Sequence, residues 1–214
     1  MLDLDGRVVV VDTTPDFRAQ AMREGLDRLD AVLFTHDHVD HILGLDDVRP
    51  FYFRTGTPIP IFADRRSMES LKRVFTYIFD QNYPYGGIPK LDPHLIDGPF
   101  EIWGEKVIPL PVFHGHVTIL GFRLQNMAYV TDFSTIPEET LALLGGLDVL
   151  ILDALRHKPH PTHSTVEQSL ALVDRLKPRR AFFTHIAHEL SHEETNATFP
   201  SHVRLAYDGL KLDL

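Results

Sequence analysis

Short apolar runs that each end in a histidine or an aspartate constrain this chain more than any other feature of its sequence. "AVLFT" (Ala31–Thr35) runs into His36 and His38, "VIPLPVF" into His114, "MAYVT" into Asp132, and "RAFFT" into His185. Brief apolar runs bounded by polar residues read as buried strands. Ligand sites outside strand ends are a general feature of α/β sheets. The repetition therefore points to one constellation of metal-capable side chains and not to scattered surface histidines.

The densest part is "FTHDHVDHILG", Phe34–Gly44, in which His36, His38, Asp40 and His41 form H-x-H-x-D-H. Neutral imidazoles and ionised carboxylates are the ordinary ligands of zinc and similar divalent ions. Two histidines two residues apart in an extended segment project to the same side and can grip one ion. Asp40 and His41 follow where the loop turns into a helix and can face a second ion. The stretch reads as half of a two-metal site. The plain alternative is a His-rich loop that binds metal adventitiously; fixed spacing after a strand, with further strand-end ligands downstream, speaks against it. Asp37 fills an unspecified slot and reads as solvated.

Other segments supply the frame. "RVVVVD" (Arg7–Asp12) reads as a strand, "TPDFRAQAMREGL" as a helical connection and "IPIFA" as a short strand. Met68, Leu71, Phe75 and Ile78 mark one face of a helix. "QNYPYGGIPKLDP" reads as a loop. "KVIPLPVFH", "ILGFRL", "MAYVTD" and "LDVLILDA" follow as strands. "STVEQSLALVDRLK" reads as an amphipathic helix with Val166, Leu170, Val173 and Leu176 inward and a capping box from Ser164 to Glu167. "RAFFTH" and "VRLAYDGLKLDL" close the chain as strands. Strands mixed with helices, without one-to-one alternation, imply a layered α/β protein with much antiparallel pairing.

With 214 residues, the chain is expected to be a single domain, 1–214. A net charge of −9 without any basic run argues against extended nucleic-acid binding. A small anionic substrate stays compatible, because a metal ion supplies local positive charge. The absence of cysteine excludes disulfides and thiolate metal sites. No apolar segment reaches the roughly 18 residues of a membrane span. "MLDLDGRVVVVD" reads as a strand and not as a signal peptide, so a cytoplasmic location without membrane association is expected.

H-x-H-x-D-H, then "PVFHG", "YVTD" and "FFTH" in that order, resembles the metallo-β-lactamase-fold hydrolases over essentially the whole chain. That resemblance implies an αββα sandwich with two metals in the groove between its sheets. It assigns His36, His38 and His114 to one ion, Asp40, His41 and His185 to the other, and Asp132 as the bridge. His116 is the rival for the place of His114. "HILGLDDVRPF", "PIPIFAD", "PTHST" and "THIAHELSHEE" look like the PhnP-like phosphodiesterases in particular. On that resemblance His163 falls on an extra catalytic histidine, and Asp40 and His163 are the catalytic candidates.

The implied activity is a dinuclear phosphodiesterase acting on a small, cyclic or linear, phosphate diester with two zinc or manganese ions, iron being also admissible. His163 suits a general acid, because imidazole titrates near neutral pH; the alternative is a surface histidine beside a helix cap. Asp12 reads equally as an orienting partner of a ligand histidine or as a cap. Asp153 either orients His163 or terminates a strand. His157 and His160 read as solvated, and Arg49, Tyr83 and Tyr85 as surface or core residues with substrate contact as the alternative. Thioester or lactone hydrolysis, RNA processing and non-catalytic metal binding are the competing functions. A homodimer is the expected assembly.

Relative to the family pattern the chain is expected to lack the usual N-terminal strand and Gly-rich loop ahead of Arg7. It also lacks the cysteines that in some relatives join a histidine, here His188, in a structural zinc site.

Overall fold

A computed structural model describes residues 1–80 and 82–213. Gln81, at the start of the expected loop, and Leu214, at the end of the expected last strand, lie outside the described residues. Among the described residues no helix is long and apolar enough to cross a membrane. The chain divides into two compact units, Met1–Asp97 and Gly98–Leu214, each with one sheet and its own helices.

The N-terminal unit contains strands β1 (Leu2–Leu4), β2 (Arg7–Val11), β3 (Ala31–Leu33), β4 (Ile59–Ala63) and β5 (Leu91–Leu95), ordered β1-β2-β3-β4-β5. β1 and β2 form an antiparallel hairpin and the remaining neighbours are parallel. The run Met1–Asp12 is thus two strands, and a strand does precede Arg7. Asp5 and Gly6 between them sit at φ 52° and 80°. A two-residue primed turn requires that left-handed pair, and Asp-Gly supplies it. β3 is fully buried, as befits a strand with parallel neighbours on both sides.

The helices of this unit are α1 (Phe17–Arg23), α2 (Val39–Ile42), α3 (Arg49–Thr55), α4 (Arg65–Val74) and α5 (Thr76–Phe79). The helix expected through Ile78 breaks at Phe75, where φ is −109° and ψ 45°. Met68, Leu71, Phe75 and Ile78 still reach the core, packing with Val32, Phe34, Ile42 and Ile61. β5 arises from sequence read as loop: Pro93 deprives it of a donor, which an edge strand tolerates.

The C-terminal unit contains β6 (Phe100–Ile102), β7 (Glu105–His114), β8 (Val117–Leu124), β9 (Met127–Val130), β10 (Val149–Asp153), β11 (Arg180–Thr184) and β12 (Val203–Leu205). The order β12-β11-β10-β9-β8-β7-β6 is parallel from β12 to β9 and antiparallel from β9 to β6. Pro109 and Pro111 are tolerated in β7 because β6 pairs only with Glu105–Val107. Phe113, of the same parity, donates from that side to the Thr135 carbonyl. The final strand stops at Leu205, short of the expected end.

Helices α6 (Glu138–Ala142), α7 (Val166–Leu176) and α8 (His192–Thr198) complete this unit. α7 is capped by Thr165 and Gln168, not by Ser164 and Glu167. The Ser164 hydroxyl is buried and engages Ser169 Oγ at 2.9 Å. Val166 and Val173 are buried, with Leu170 and Leu176 packed against the same core, as the spacing predicts.

Candidate metal centre

In the N-terminal unit the sequence brings His36, His38, Asp40 and His41 together at the end of β3. Ring centroids of His36 lie 4.6 Å from His38 and 4.1 Å from His41. Asp40 Oδ2 lies 3.4 Å from His41 Nε2. His36 and His41 are buried, and His38 and Asp40 are exposed.

Asp12, at the end of β2, organises the buried pair. Its Oδ1 accepts from the Thr35 amide and its Oδ2 from the Thr35 hydroxyl, both at 2.8 Å. His41 Nδ1 lies 2.8 Å from the same Oδ2. Because the carboxylate can only accept, His41 carries its proton on Nδ1. The single Thr35 hydroxyl proton points to Asp12, so His36 Nδ1, 3.0 Å from Thr35 Oγ1, donates too. Both rings thereby present Nε2 as a lone-pair donor, the tautomer a metal ligand needs. Asp12 is an orienting partner, then, and not a cap. Thr35 is a site residue that the sequence reading passed over, although its position directly before the motif was the available signal.

Gly44 closes this arrangement from below. A Cβ there would meet the Thr14 carbonyl at 2.1 Å, and the Gly44 amide donates to the Thr13 carbonyl at 2.9 Å. Asp37 is not solvated: its side chain is 14% exposed, and its Oδ2 accepts from Ser70 Oγ at 2.7 Å. Burial pushes the Asp37 carboxyl up, but the Ser70 hydroxyl and the Arg66 guanidinium outweigh that and hold it below the usual range.

In the C-terminal unit His114, Asp132 and His185 lie at or just beyond the ends of β7, β9 and β11, and His163 comes from the segment between β10 and α7. Ligand atoms of His114, Asp132 and His163 lie within 4.8 Å of one another, and so do those of Asp153, His163 and His185. Parallel register aligns the row: Leu152 of β10 pairs with Val130 of β9 and Phe183 of β11, so Asp132, Asp153 and His185 leave the sheet side by side. His114 Nδ1 donates to the Asp132 carbonyl, which again presents Nε2. His116 is exposed in the following turn, and His114 is the one beside Asp132. The Thr131 hydroxyl donates to Asp132, and His185 Nε2 lies 3.4 Å from Asp132 Oδ2.

His163 stands amid these rings. It stacks on His185 at 4.8 Å and 12°, meets His114 edge-on at 4.8 Å, and lies 5.0 Å from His160. Its Nδ1 donates to Asp153 Oδ2 at 3.1 Å. Asp153 is fully buried, and burial raises its carboxyl against the pull of His163 and His185. Asp153 thus orients His163 as well as ending a strand. His160 is partly buried, and desolvation, aided by His163, holds its ring below the ordinary histidine value. His157 is exposed and bonded to Glu167 at 2.6 Å.

Asp12, Asp132 and His185 all sit at positive φ, 59°, 58° and 56°. Such backbone is unfavourable for residues with a Cβ and tends to cluster at functional sites. Asp12 and His185 directly follow β2 and β11, and Asp132 lies two residues beyond β9. Other candidates fall to structural roles. Arg49 Nη1 donates to the Gly87 carbonyl at 3.1 Å and its Nη2 lies 3.7 Å from Asp46. Tyr83 packs between Tyr77 and an exposed Tyr85, and His188 is exposed.

Two nests of imidazole and carboxylate, with tautomers set for metal ligation, on a two-sheet α/β fold define a class. The model of the beta-lactamase superfamily domain matches residues 7–186, and the chain belongs to that superfamily. Within it the chain is similar to the PhnP family: a solved structure described as a new diphosphatase from that family is 48% identical, with a TM-score of 0.92 over 99% of this chain and 81% of that one. Zn²⁺-bound PqqB from Methylobacterium extorquens, 21% identical with a TM-score of 0.75, covers 100% of this chain and 86% of its own. Human tRNase Z, short form, 18% identical with a TM-score of 0.74, covers 98% and 89%. These two share the fold. A curated relative from Porphyromonas gingivalis (strain ATCC BAA-308 / W83), called octanoyltransferase, is 35% identical over 210 residues. The match takes in 96% of this chain but 42% of that protein.

The mixed α/β fold with two sheets that the sequence implies is therefore found, and the class is that of the beta-lactamase superfamily. The donor set fits divalent metal: hard and borderline ligands only, several of them with Nδ1 already committed to an acceptor.

Proposed function

We propose that this chain is a dinuclear phosphodiesterase for a small anionic phosphate diester, with His36, His38, Asp40, His41, His114, Asp132 and His185 as the ligands of two zinc or manganese ions. When bound, such ions polarise a phosphoryl group and acidify water. The observation that carries the reading is the Asp153–His163 pair. A buried carboxylate behind Nδ1 fixes the ring and turns Nε2, the atom that would carry the transferred proton, away from Asp153. As the P–O bond breaks, His163 gives that proton to the departing alkoxide, which is too basic to leave unaided. The buried partner also keeps the ring from rotating once the proton has gone.

The PhnP-family relative called a diphosphatase supports cleavage at phosphorus. It also brings a second reading, hydrolysis of a diphosphate, whose phosphate leaving group has less need of an acid. The relative called octanoyltransferase keeps acyl chemistry, as thioester or lactone hydrolysis, as a third.

Leaving-group dependence separates them. Metal-free protein is reloaded with zinc or manganese and assayed on an alkyl phosphodiester, bis(p-nitrophenyl) phosphate, a diphosphate and a thioester. Metal-dependent turnover of both diesters is expected. His163→Ala should lose about 10²–10⁴-fold on the alkyl diester and much less on the p-nitrophenyl one, whose leaving group is acidic. Equal losses on both would remove His163 from the role of acid. Turnover of the thioester alone would sink the phosphodiester reading.

A further inference from the structure

Asp37 lies between two proposed metal ligands, yet it faces neither. In an extended segment alternate side chains point to opposite sides, so Asp37 turns away from the side shared by His36 and His38. What it meets is α4. Ser70 Oγ donates to Asp37 Oδ2 at 2.7 Å, and Arg73 Nη2 donates to Ser70 Oγ at 2.9 Å. Arg66 Nη2 lies 3.5 Å from Asp37 Oδ1. Positions 66, 70 and 73 fall on one face of a helix, at spacings of four and three.

That helix is a firm anchor. Met68 and Leu71 are 2% and 0% exposed in the core of the unit, and Asp64 caps the first turn by accepting from the Ser67 amide at 2.8 Å. Ser70 is itself buried, at 5% exposure. The brace from Asp12 and Thr35 acts on His36 and His41. His38 and Asp40 lie on the exposed part of the loop, and Asp37 joins this part to α4.

We propose that Asp37 is a positioning residue: through Ser70 and Arg66 it pins the stretch from His36 to Asp40 onto α4 and sets His38 before a metal arrives. The inference rests on the metal reading of this motif for its functional half, and on the hydrogen bonds alone for its structural half.

Two measurements on the full chain test the halves separately. One is amide hydrogen exchange of the metal-free protein. The other is zinc affinity by competition with a chromophoric chelator. Asp37→Ala and Ser70→Ala should speed exchange across residues 36–42 and weaken zinc binding about 10- to 100-fold, the usual loss for an outer partner of a ligand. Asp37→Asn keeps an acceptor oxygen for Ser70 and should recover most of both. Unchanged exchange across residues 36–42 in Ser70→Ala overturns the clamp, whatever zinc does. Faster exchange with unaltered zinc affinity overturns the positioning role. If the unsubstituted protein takes up no zinc, the metal reading fails, and the positioning role fails with it. Ser70→Ala removes one hydroxyl and carries the comparison even if Asp37→Ala does not fold.

Discussion

In the N-terminal unit the metal-capable residues come from one stretch of six, His36–His41, whereas in the C-terminal unit they come from His114, Asp132, His163 and His185, spread over 72 positions. The first group is held by local means: a single carboxylate, Asp12, and a single hydroxyl, Thr35, fix two rings. In the second group the register of three parallel strands sets Asp132 and His185, while the Asp132 carbonyl holds His114 and Asp153 holds His163. A contiguous motif needs a brace to keep its side chains from splaying. Strand ends are placed by the whole sheet, and His114 and His163 then each take a separate acceptor. The contrast predicts that damage to the first group spreads through its brace, while damage to the second stays with the residue changed.

The largest effect is expected at Asp132, the candidate bridge. Asp132→Ala should weaken zinc binding by more than the roughly 100-fold that loss of an outer partner costs, read by zinc titration of metal-free protein. Retention of full affinity would break the idea that the C-terminal row is a ligand set. Next comes Asp12→Ala, which frees two rings at once: a fall of about 10- to 100-fold in zinc affinity, with Thr35→Val losing less. Equal losses would mean that the carboxylate is not the root of the brace.

Gly44→Ala tests packing under the motif. Its new methyl would strike the Thr14 carbonyl, and such overpacking costs about 1–3 kcal/mol. Gly145→Ala, where nothing lies within 4 Å, is the control in the other unit and should be near neutral. Urea midpoints of the two variants measure the difference.

The smallest effect concerns Asp30, which joins β2 to the segment before β3. Its Oδ2 accepts from the Val8 amide at 2.8 Å and from Arg28 Nε at 2.6 Å. Burial pushes this carboxyl up, but the Arg28 guanidinium and the Val8 amide hold it below the usual aspartate range. A depressed carboxyl contributes stability that is present above its unfolded value and is lost as pH falls through the lower folded value. Asp30→Asn should therefore cost no more than about 1 kcal/mol at neutral pH. The gap in melting temperature should close as pH falls below the aspartate range.

Much of the fold was legible because its signals are local. Asp5-Gly6 is a hairpin signal within a run, Met1–Asp12, that otherwise reads as one strand. Ser164–Glu167 and Thr165–Gln168 both spell a capping box one residue apart. Which one forms is decided by the burial of Ser164 against Ser169, five residues on. "LDPHL" carries a proline and polar side chains and reads as loop, yet pairing with β4 makes it an edge strand. "LKLDL" alternates like a strand, but β12 ends at Leu205.

The sequence alone determined the ligand types and the motif, because chemistry at strand ends is written in residue identity and short spacing. Tertiary structure decided which nitrogen of each ring faces a metal, through Asp12 with His41 and the Asp132 carbonyl with His114. It decided also that Asp153 stands behind His163 and that Asp37 grips Ser70, 33 residues away. The physical reason is range. A side chain's own chemistry is local, whereas the partner that orients it is chosen by how distant segments pack, and no short pattern records that choice.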